Sequence, residues 1–378
     1  MNDRRLLYII TFASVLTFSS LYAPQPIQPL IAREFGLTMS EVSLLTTASM
    51  IPLAVAPIFY GYLLEAVCAR TVLVASLSVL ALCQFMFYFS DNYYLLVFIR
   101  VMLGCAMPAV LTGIMTYISD TSAKTDIQKN LAIYISSTIF GGFSGRFFSG
   151  LLSHYFGWRM MFLILGFSLL TAALLMRRLP SNKASITKIN PQAAKEVLTA
   201  DIFPAVYLMV FFMFFMFAAV LNFIPFRMRQ ISPDSGEMLI GVMYTGYIMG
   251  IVVALNIMKI IRVLRSEQNT IFAGLTLFTG SLLLFTSDSI GVMFFGMFVF
   301  CSGMFMAHST AAGYVNKIAD KHKGVTNGLY VAFYYAGGAL GSVLPGLIYQ
   351  SSGWNAFLTV LGIIMSSALV AGRLMLRR

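Results

Sequence analysis

An all-α integral membrane protein of twelve transmembrane helices, arranged as two pseudo-symmetric six-helix halves, is predicted by three features of the sequence. The 378 residues are 59% hydrophobic and only 10% charged, against about a quarter charged in an average soluble domain, so no water-facing surface can be assembled from them. Apolar runs of the roughly 20 residues needed to cross a hydrocarbon core recur along the chain. The two halves of the chain also match each other at a fixed offset of 196 residues.

Bounded by polar or Gly/Pro breaks, the runs cover 5–30, 42–65, 71–90, 93–118, 129–153 and 158–177, then 203–226, 238–261, 268–286, 289–314, 325–350 and 353–373. The first follows Arg4 and Arg5 as a signal peptide would. It continues through Tyr22, Pro24 and Pro26 without a small-x-small cleavage site, and is read as a span. The stretch 178–202, rich in Ser, Lys, Asn and Pro, is neither apolar nor periodic. It is expected to be a cytoplasmic linker between a half at 1–177 and a half at 203–378. Cys68, Cys83, Cys105 and Cys301 lie in or beside apolar runs without metal-ligand or CxxC spacing and read as small hydrophobes.

A formal charge of +11 would suggest nucleic acid in a soluble protein; in a membrane protein it is a topology signal. Nineteen Lys and Arg and eight acids fall on the side of the N-terminus, four basic residues and six acids on the other. The positive-inside rule therefore expects both termini in the cytoplasm, with the chain in a bacterial inner membrane and no nucleic-acid partner. The remaining charge is +2 inside the spans, at Arg100 and Arg146.

At the 196-residue offset Tyr134 aligns with Tyr330, Gly141 and Gly142 with Gly337 and Gly338, and Gly145 with Gly341. Gly150 aligns with Gly346, Gly157 with Gly353, Trp158 with Trp354 and Gly166 with Gly362. Both tryptophans of the chain hold this register, the mark of a duplicated unit. A parallel repeat with a cavity between its halves at mid-membrane depth is a transporter architecture. Gly141 and Gly145, and Gly337 and Gly341, continue through Ser149 and Pro345 as small-residue stripes that permit close helix crossing.

Several motifs resemble the major facilitator superfamily. Gly61 to Arg70, GYLLEAVCAR, is a weakened copy of G-x-L-a-D-r-x-G-r-r/k, with Glu65 for the usual Asp and with Cys68 and Ala69 where Gly and a base are expected. Arg100 to Gly104 is similar to R-x-x-q-G, with Leu for Gln. The helix from Gly141 to Gly150 resembles the Gly-rich antiporter helix, with Arg146 in place of Pro. Ala307 to Gly313, Asn327 to Tyr330 and Tyr334 to Gly337 look like the arabinose-efflux-like permeases, a branch close to the drug–proton antiporters. The resemblance implies the major facilitator fold, alternating access, proton coupling and a path lined by spans one, four, seven and ten. Gly61, Glu65 and Arg70 would then latch one conformation, Glu65 accepting from a helix N-terminus and pairing with Arg70; the alternative is an ordinary solvated loop acid.

Polar residues fall on that path: Tyr22, Gln25 and Gln28 in span one, Asn222 in span seven and His308 in span ten, with Tyr330 and Tyr334 added from span eleven. With Arg100 they form the expected substrate cavity, whose Tyr, Phe and Met suit an amphipathic organic solute better than a bare ion. Arg100 lies seven residues into its span, roughly 10 Å deep, where a charge is costly unless it meets water or a partner. It is read as a cavity residue that binds an anionic group or biases a coupling acid, the alternative being a donor to backbone carbonyls of a neighbouring helix. Arg146, nearer the outer end of span five, is expected to snorkel to the interface; facing inward, it would favour a carboxylate. No Asp or Glu lies inside a span, so the coupling candidates are His308, whose imidazole when unperturbed titrates near physiological pH, Glu34 and Arg100.

The expected function is therefore secondary active transport of a small organic solute by a monomer without cofactor or metal, as an exporter exchanging with protons. Uniport and import remain open, as do, more remotely, a channel or a membrane-embedded enzyme. A primary pump is disfavoured by the lack of a G-x-x-x-x-G-K-[ST] loop, and His154, His308 and His322 assemble no catalytic set.

Overall fold

Proline dictates the shape of the first span. Helix α1 (Asp3–Tyr22) gives way at Ala23 and Pro24 to one 3-10 turn, Gln25–Ile27, and then to α2 (Gln28–Phe35), because proline has no N–H with which to continue the ladder. The computed structural model describes residues 3–55, 68–122, 127–178, 180, 191–199, 202–233, 236–319 and 323–375. Helices α3 (Met39–Val55), α4 (Ala69–Phe89), α5 (Tyr93–Thr121), α6 (Ile127–Phe156) and α7 (Met160–Arg177) follow. After α8 (Pro191–Thr199) come α9 (Phe203–Ile231), α10 (Glu237–Met243) running through a 3-10 turn into α11 (Tyr247–Leu264), and α12 (Glu267–Gly280). The chain ends with α13 (Ile290–Ile318), α14 (Lys323–Gly341) and α15 (Leu344–Met375).

Among the described residues nine helical stretches are long and apolar enough to cross a membrane unaided. One of them, Val325–Met375, is two passes, divided at Gly353, where the backbone turns to φ 82 and ψ 178. Met39–Val55 is a shorter apolar helix, and Ile127–Phe156 is a long one diluted by glycine, serine and Arg146. Over its described residues every expected span thus coincides with a helix, and the helix ends at Asp3 and Met375 share one face of the bundle, termed the near face. The stretch 178–202 contains the short helix α8. Its buried Val197 packs it against α9 and α14; an apolar stripe of barely two turns is too short to register as periodicity.

The duplication is written in the backbone. Gly157 and Gly353, aligned at the repeat offset, have φ of 83 and 82, a conformation that costs an L side chain about 1–3 kcal/mol. Each turns one span into the next just before a buried tryptophan. Trp158 Nε1 donates to Glu34 Oε2, and Trp354 Nε1 to the Phe285 carbonyl at 2.7 Å. Helices α1 and α6 cross where a Cβ on Gly141 or Gly145 would stand 2.6 and 2.5 Å from the carbonyl oxygens of Val15 and Ser19. Helices α9 and α14 cross where a Cβ on Gly337 or Gly341 would stand 2.0 and 2.1 Å from those of Phe211 and Phe215. Backbone meets backbone at both crossings.

The halves pack through α3 on α14 and α6 on α10 and α11, contacts that lie toward the far face, opposite Asp3 and Met375. There Arg159 pairs with Glu34 and Asp91 at 2.7 Å each, Arg227 with Asp288 and Arg229 with Glu237. Among the described residues each of these pairs joins two groups of the same half. At the far-face mouth of α3, the Glu41 carboxylate accepts from the Thr38 backbone N–H and hydroxyl, both at 2.8 Å, while Thr38 Oγ1 accepts from the Glu41 N–H at 3.2 Å. This reciprocal cap holds the exposed Glu41 carboxyl below the usual glutamate range, the backbone hydrogen bond contributing most.

Candidate functional site

The two arginines inside the spans occupy different settings. Pro24 leaves the Ser20 carbonyl without its helical donor, and Arg100 Nη1 donates to that oxygen at 2.7 Å. Arg100 Nη2 donates to the Leu21 carbonyl and, at 2.8 Å, to Ser49 Oγ, and Nε donates to the Leu45 carbonyl at 2.8 Å. All three nitrogens are engaged and the residue is 1% exposed. Expected to face an open cavity, Arg100 instead ties α1, α3 and α5 together through backbone carbonyls. The second half uses a tyrosine for the same purpose: Pro225 interrupts α9, and Tyr244 Oη donates to the Leu221 carbonyl at 2.7 Å.

Arg146, expected to snorkel outward, is also 1% exposed. Its Nε donates to Gln25 Oε1 and its Nη1 to the Gly142 carbonyl, both at 2.6 Å. The guanidinium carbon lies 3.9 Å from the centre of the Tyr22 ring, 4.7 Å from Tyr247 and 5.4 Å from Tyr244. The cation thus belongs to one half and two of its three rings to the other. Among the described residues no carboxylate pairs with it and its Nη2 has no acceptor. Gln25 Nε2, on the adjacent amide, is buried without a partner. A buried donor without an acceptor is rare in folded proteins, and an anionic oxygen would satisfy the amide while pairing with the cation beside it.

The other expected cavity residues fall into two further groups. Gln28 Nε2 donates to Asn222 Oδ1 at 2.7 Å and to Thr46 Oγ1 at 3.0 Å, Thr46 Oγ1 donates to Asn222 Oδ1 at 3.0 Å, and Asn222 Nδ2 donates to the Ser342 carbonyl at 2.8 Å. With Thr47 Oγ1 donating to the Ala339 carbonyl at 3.1 Å, this buried knot stitches α2 and α3 to α9 and α14. Toward the near face, Tyr330 Oη lies 2.9 Å from His308 Nδ1 and 3.2 Å from the His308 carbonyl, and the Tyr334 ring is 4.8 Å from the half-buried imidazole. A run of rings links the groups, from Tyr247 to Phe217 (5.6 Å), Phe214 (6.0 Å) and Tyr334 (3.7 Å). Glu34 sits at the far face, held by Arg159 and Trp158. Of the expected latch, Arg70 lies in the first turn of α4, while Gly61 and Glu65 lie outside the described residues. Sequence reasoning missed Thr46, Thr47 and Ser49, whose signal was a cluster of hydroxyls inside an apolar helix.

A family model described as the Major Facilitator Superfamily matches residues 10–329. The chain belongs to the Major Facilitator Superfamily. It is therefore an integral membrane transporter and not an enzyme. Among similar Major Facilitator proteins, the inner membrane transport protein YnfM of Escherichia coli (strain K12) is 26% identical over 97% of this chain and 89% of its own length. An uncharacterized transporter of Buchnera aphidicola subsp. Baizongia pistaciae is 27% identical over 90% of this chain and 86% of its own length. The quinolone resistance protein NorA of Staphylococcus aureus (strain COL) is 23% identical over 91% and 90%. The crystal structure of the nucleoside transporter NupG superposes with a TM-score of 0.81 over 98% of this chain and 99% of that one, at 13% identity, a likeness of Major Facilitator fold alone.

Proposed function

We propose that this Major Facilitator protein carries a small amphipathic organic anion across the bacterial inner membrane by alternating access, its anionic group held by Arg146 and Gln25. The observation that supports the reading is the unpartnered buried amide nitrogen of Gln25 beside the buried Arg146 cation, which pairs with no described carboxylate, set where the halves meet. Three tyrosine faces stabilise the guanidinium by cation–π attraction, of order 0.5–2 kcal/mol each, but supply no counter-charge. A carboxylate would. The apolar part of the solute would lie along the rings that lead through Tyr334 toward His308.

The near face is assigned to the cytoplasm from its Lys and Arg excess, so the state with the halves joined toward the far face is read as open inward. Direction is read as export, in line with the name of the distant relative NorA, a quinolone resistance protein, and exchange with protons follows from the family resemblance. His308 with Tyr330 is the proton site on this reading. Tyr330 Oη can donate to a neutral Nδ1, or accept from a protonated Nδ1 while donating to the His308 carbonyl, so the hydroxyl keeps a partner in either state. The protein works as a monomer of two halves, 1–177 and 203–378, with 178–202 between them.

The test is transport by proteoliposomes of organic carboxylates and their neutral amides, with and without a pH gradient. Saturable, gradient-driven movement of carboxylates that is lost in Arg146→Ala, and movement uncoupled from the gradient in His308→Gln, are expected. If Arg146→Ala moves carboxylates as well as the parent does, the anion assignment is wrong.

A further inference from the structure

Away from the central site, a groove of about 360 Å³ opens between α12 and α15, lined by residues that include Thr276, Gly280, Ser366, Leu369, Val370 and Arg373. Thr276, Gly280, Ser366, Val370 and Arg373 are exposed on helices that cross the membrane, so the groove faces lipid. It is there because small residues line both sides: a Cβ on Gly280 would meet nothing within 4 Å. Two of the hydroxyls along it, those of Thr276 and Thr279, are spent on the carbonyls of Phe272 and Leu275, both at 2.8 Å.

Charge marks one end. Arg373 stands two residues before the described end of α15, at the near face, and the seven residues from it to Ser366 span about 10 Å of helix. The groove therefore runs from the interface toward the middle of a core about 30 Å thick. The Arg373 guanidinium lies 5.7 Å from the Phe272 ring and, among the described residues, pairs with no carboxylate. The acid at the start of α12, Glu267, is taken by Lys317 at 2.7 Å.

We propose that this groove binds one anionic phospholipid of the near-face leaflet, its phosphate on Arg373 and one acyl chain along Val370, Leu369, Ser366 and Gly280. A basic residue at a membrane surface contributes about 1 kcal/mol toward an anionic lipid, or roughly fivefold in affinity. The apolar floor selects a chain and the cation selects the headgroup.

The experiment is native mass spectrometry of the full chain in detergent, titrated with dioleoyl phosphatidylglycerol or dioleoyl phosphatidylcholine. The wild type should retain the phosphatidylglycerol about fivefold more strongly. Arg373→Ala should lose that preference while Arg373→Lys keeps it, and Ser366→Leu, which fills the groove, should weaken retention of both lipids. Arg262→Ala, at the near-face end of α11, should leave the preference unchanged. The proposal is overturned if Arg262→Ala weakens the preference as much as Arg373→Ala does, if Arg373→Ala retains it, or if inorganic phosphate at equal concentration displaces the lipid.

Discussion

Arg100 gives the Ser20 carbonyl the hydrogen that Pro24 cannot, at 2.7 Å. The cation is one helix away from the break it repairs, and its remaining nitrogens close on Leu21, Leu45 and Ser49. A buried charge with such acceptors is a structural clamp. Arg100→Ala should lower stability by roughly 3 kcal/mol, because several buried carbonyls lose their donor at about 1–3 kcal/mol each. Pro24→Ala restores an N–H to that turn, so in its background Arg100→Ala should cost about 1 kcal/mol less. Thermal unfolding of the four proteins in detergent measures the difference; equal losses in both backgrounds would separate Arg100 from Pro24.

Arg146 should behave in the opposite way. It has no carboxylate partner among the described residues, so Arg146→Ala relieves a buried charge and should leave the unfolding temperature unchanged or raised. Affinity for an anionic solute should fall roughly 10- to 100-fold, the worth of hydrogen bonds from a charged donor. A stability loss as large as that of Arg100→Ala, without a transport defect, would make Arg146 a second clamp.

The knot at Asn222 is the main polar tie between the halves described here. Asn222→Ala removes contacts with Gln28, Thr46 and the Ser342 carbonyl. At about 0.6 kcal/mol for a hydrogen bond between membrane helices, the closed far face should lose on the order of 1–2 kcal/mol. Spin-label distances between far-face positions on α2 and α10 should lengthen in a larger fraction of molecules. An unchanged distribution would mean that packing alone holds the far face shut.

Glycines divide by what surrounds them. Gly145→Ala and Gly341→Ala put a methyl group against backbone oxygens at 2.5 and 2.1 Å and should cost about 1–3 kcal/mol by overpacking. A Cβ on Gly313 or Gly328 would meet nothing within 4 Å, so alanine there should be close to neutral in the same unfolding assay.

Glu41 predicts a pH dependence. Its folded carboxyl is held below the ordinary range by Thr38, so its contribution is present above the unfolded value near 4.3 and is lost as pH falls through the folded one. Glu41→Gln should therefore be less stable than the parent at neutral pH, and the two melting curves should converge in acid. A gap that persists at pH 3 would trace the loss to the cap geometry and not to ionisation.

Spans were legible because hydrophobic length is a one-dimensional property, and the repeat because Gly157, Gly353 and the tryptophans after them serve a backbone geometry that few other residues allow. The site was less legible. Depth along a helix follows from counting, but azimuth does not, so Arg100 and Arg146 could be placed in the membrane without knowing which one meets carbonyls and which meets rings. Pro24 was visible, yet the residue that answers its missing N–H lies 76 positions further on, a separation only the fold can close. Gln28 and Asn222 were picked out singly as polar groups on the path; that they bond to each other depends on the packing of the two halves.

Arg159, Arg227 and Arg229 each find an acid within their own half. On the alternating-access reading, parting the halves at the far face would draw none of these described pairs from one another. Dissolved salt screens exposed ion pairs over about 8–10 Å, so it would soften each half internally while leaving the ratio of open to shut nearly unaltered. A cell moving between dilute and briny surroundings would keep the same gate.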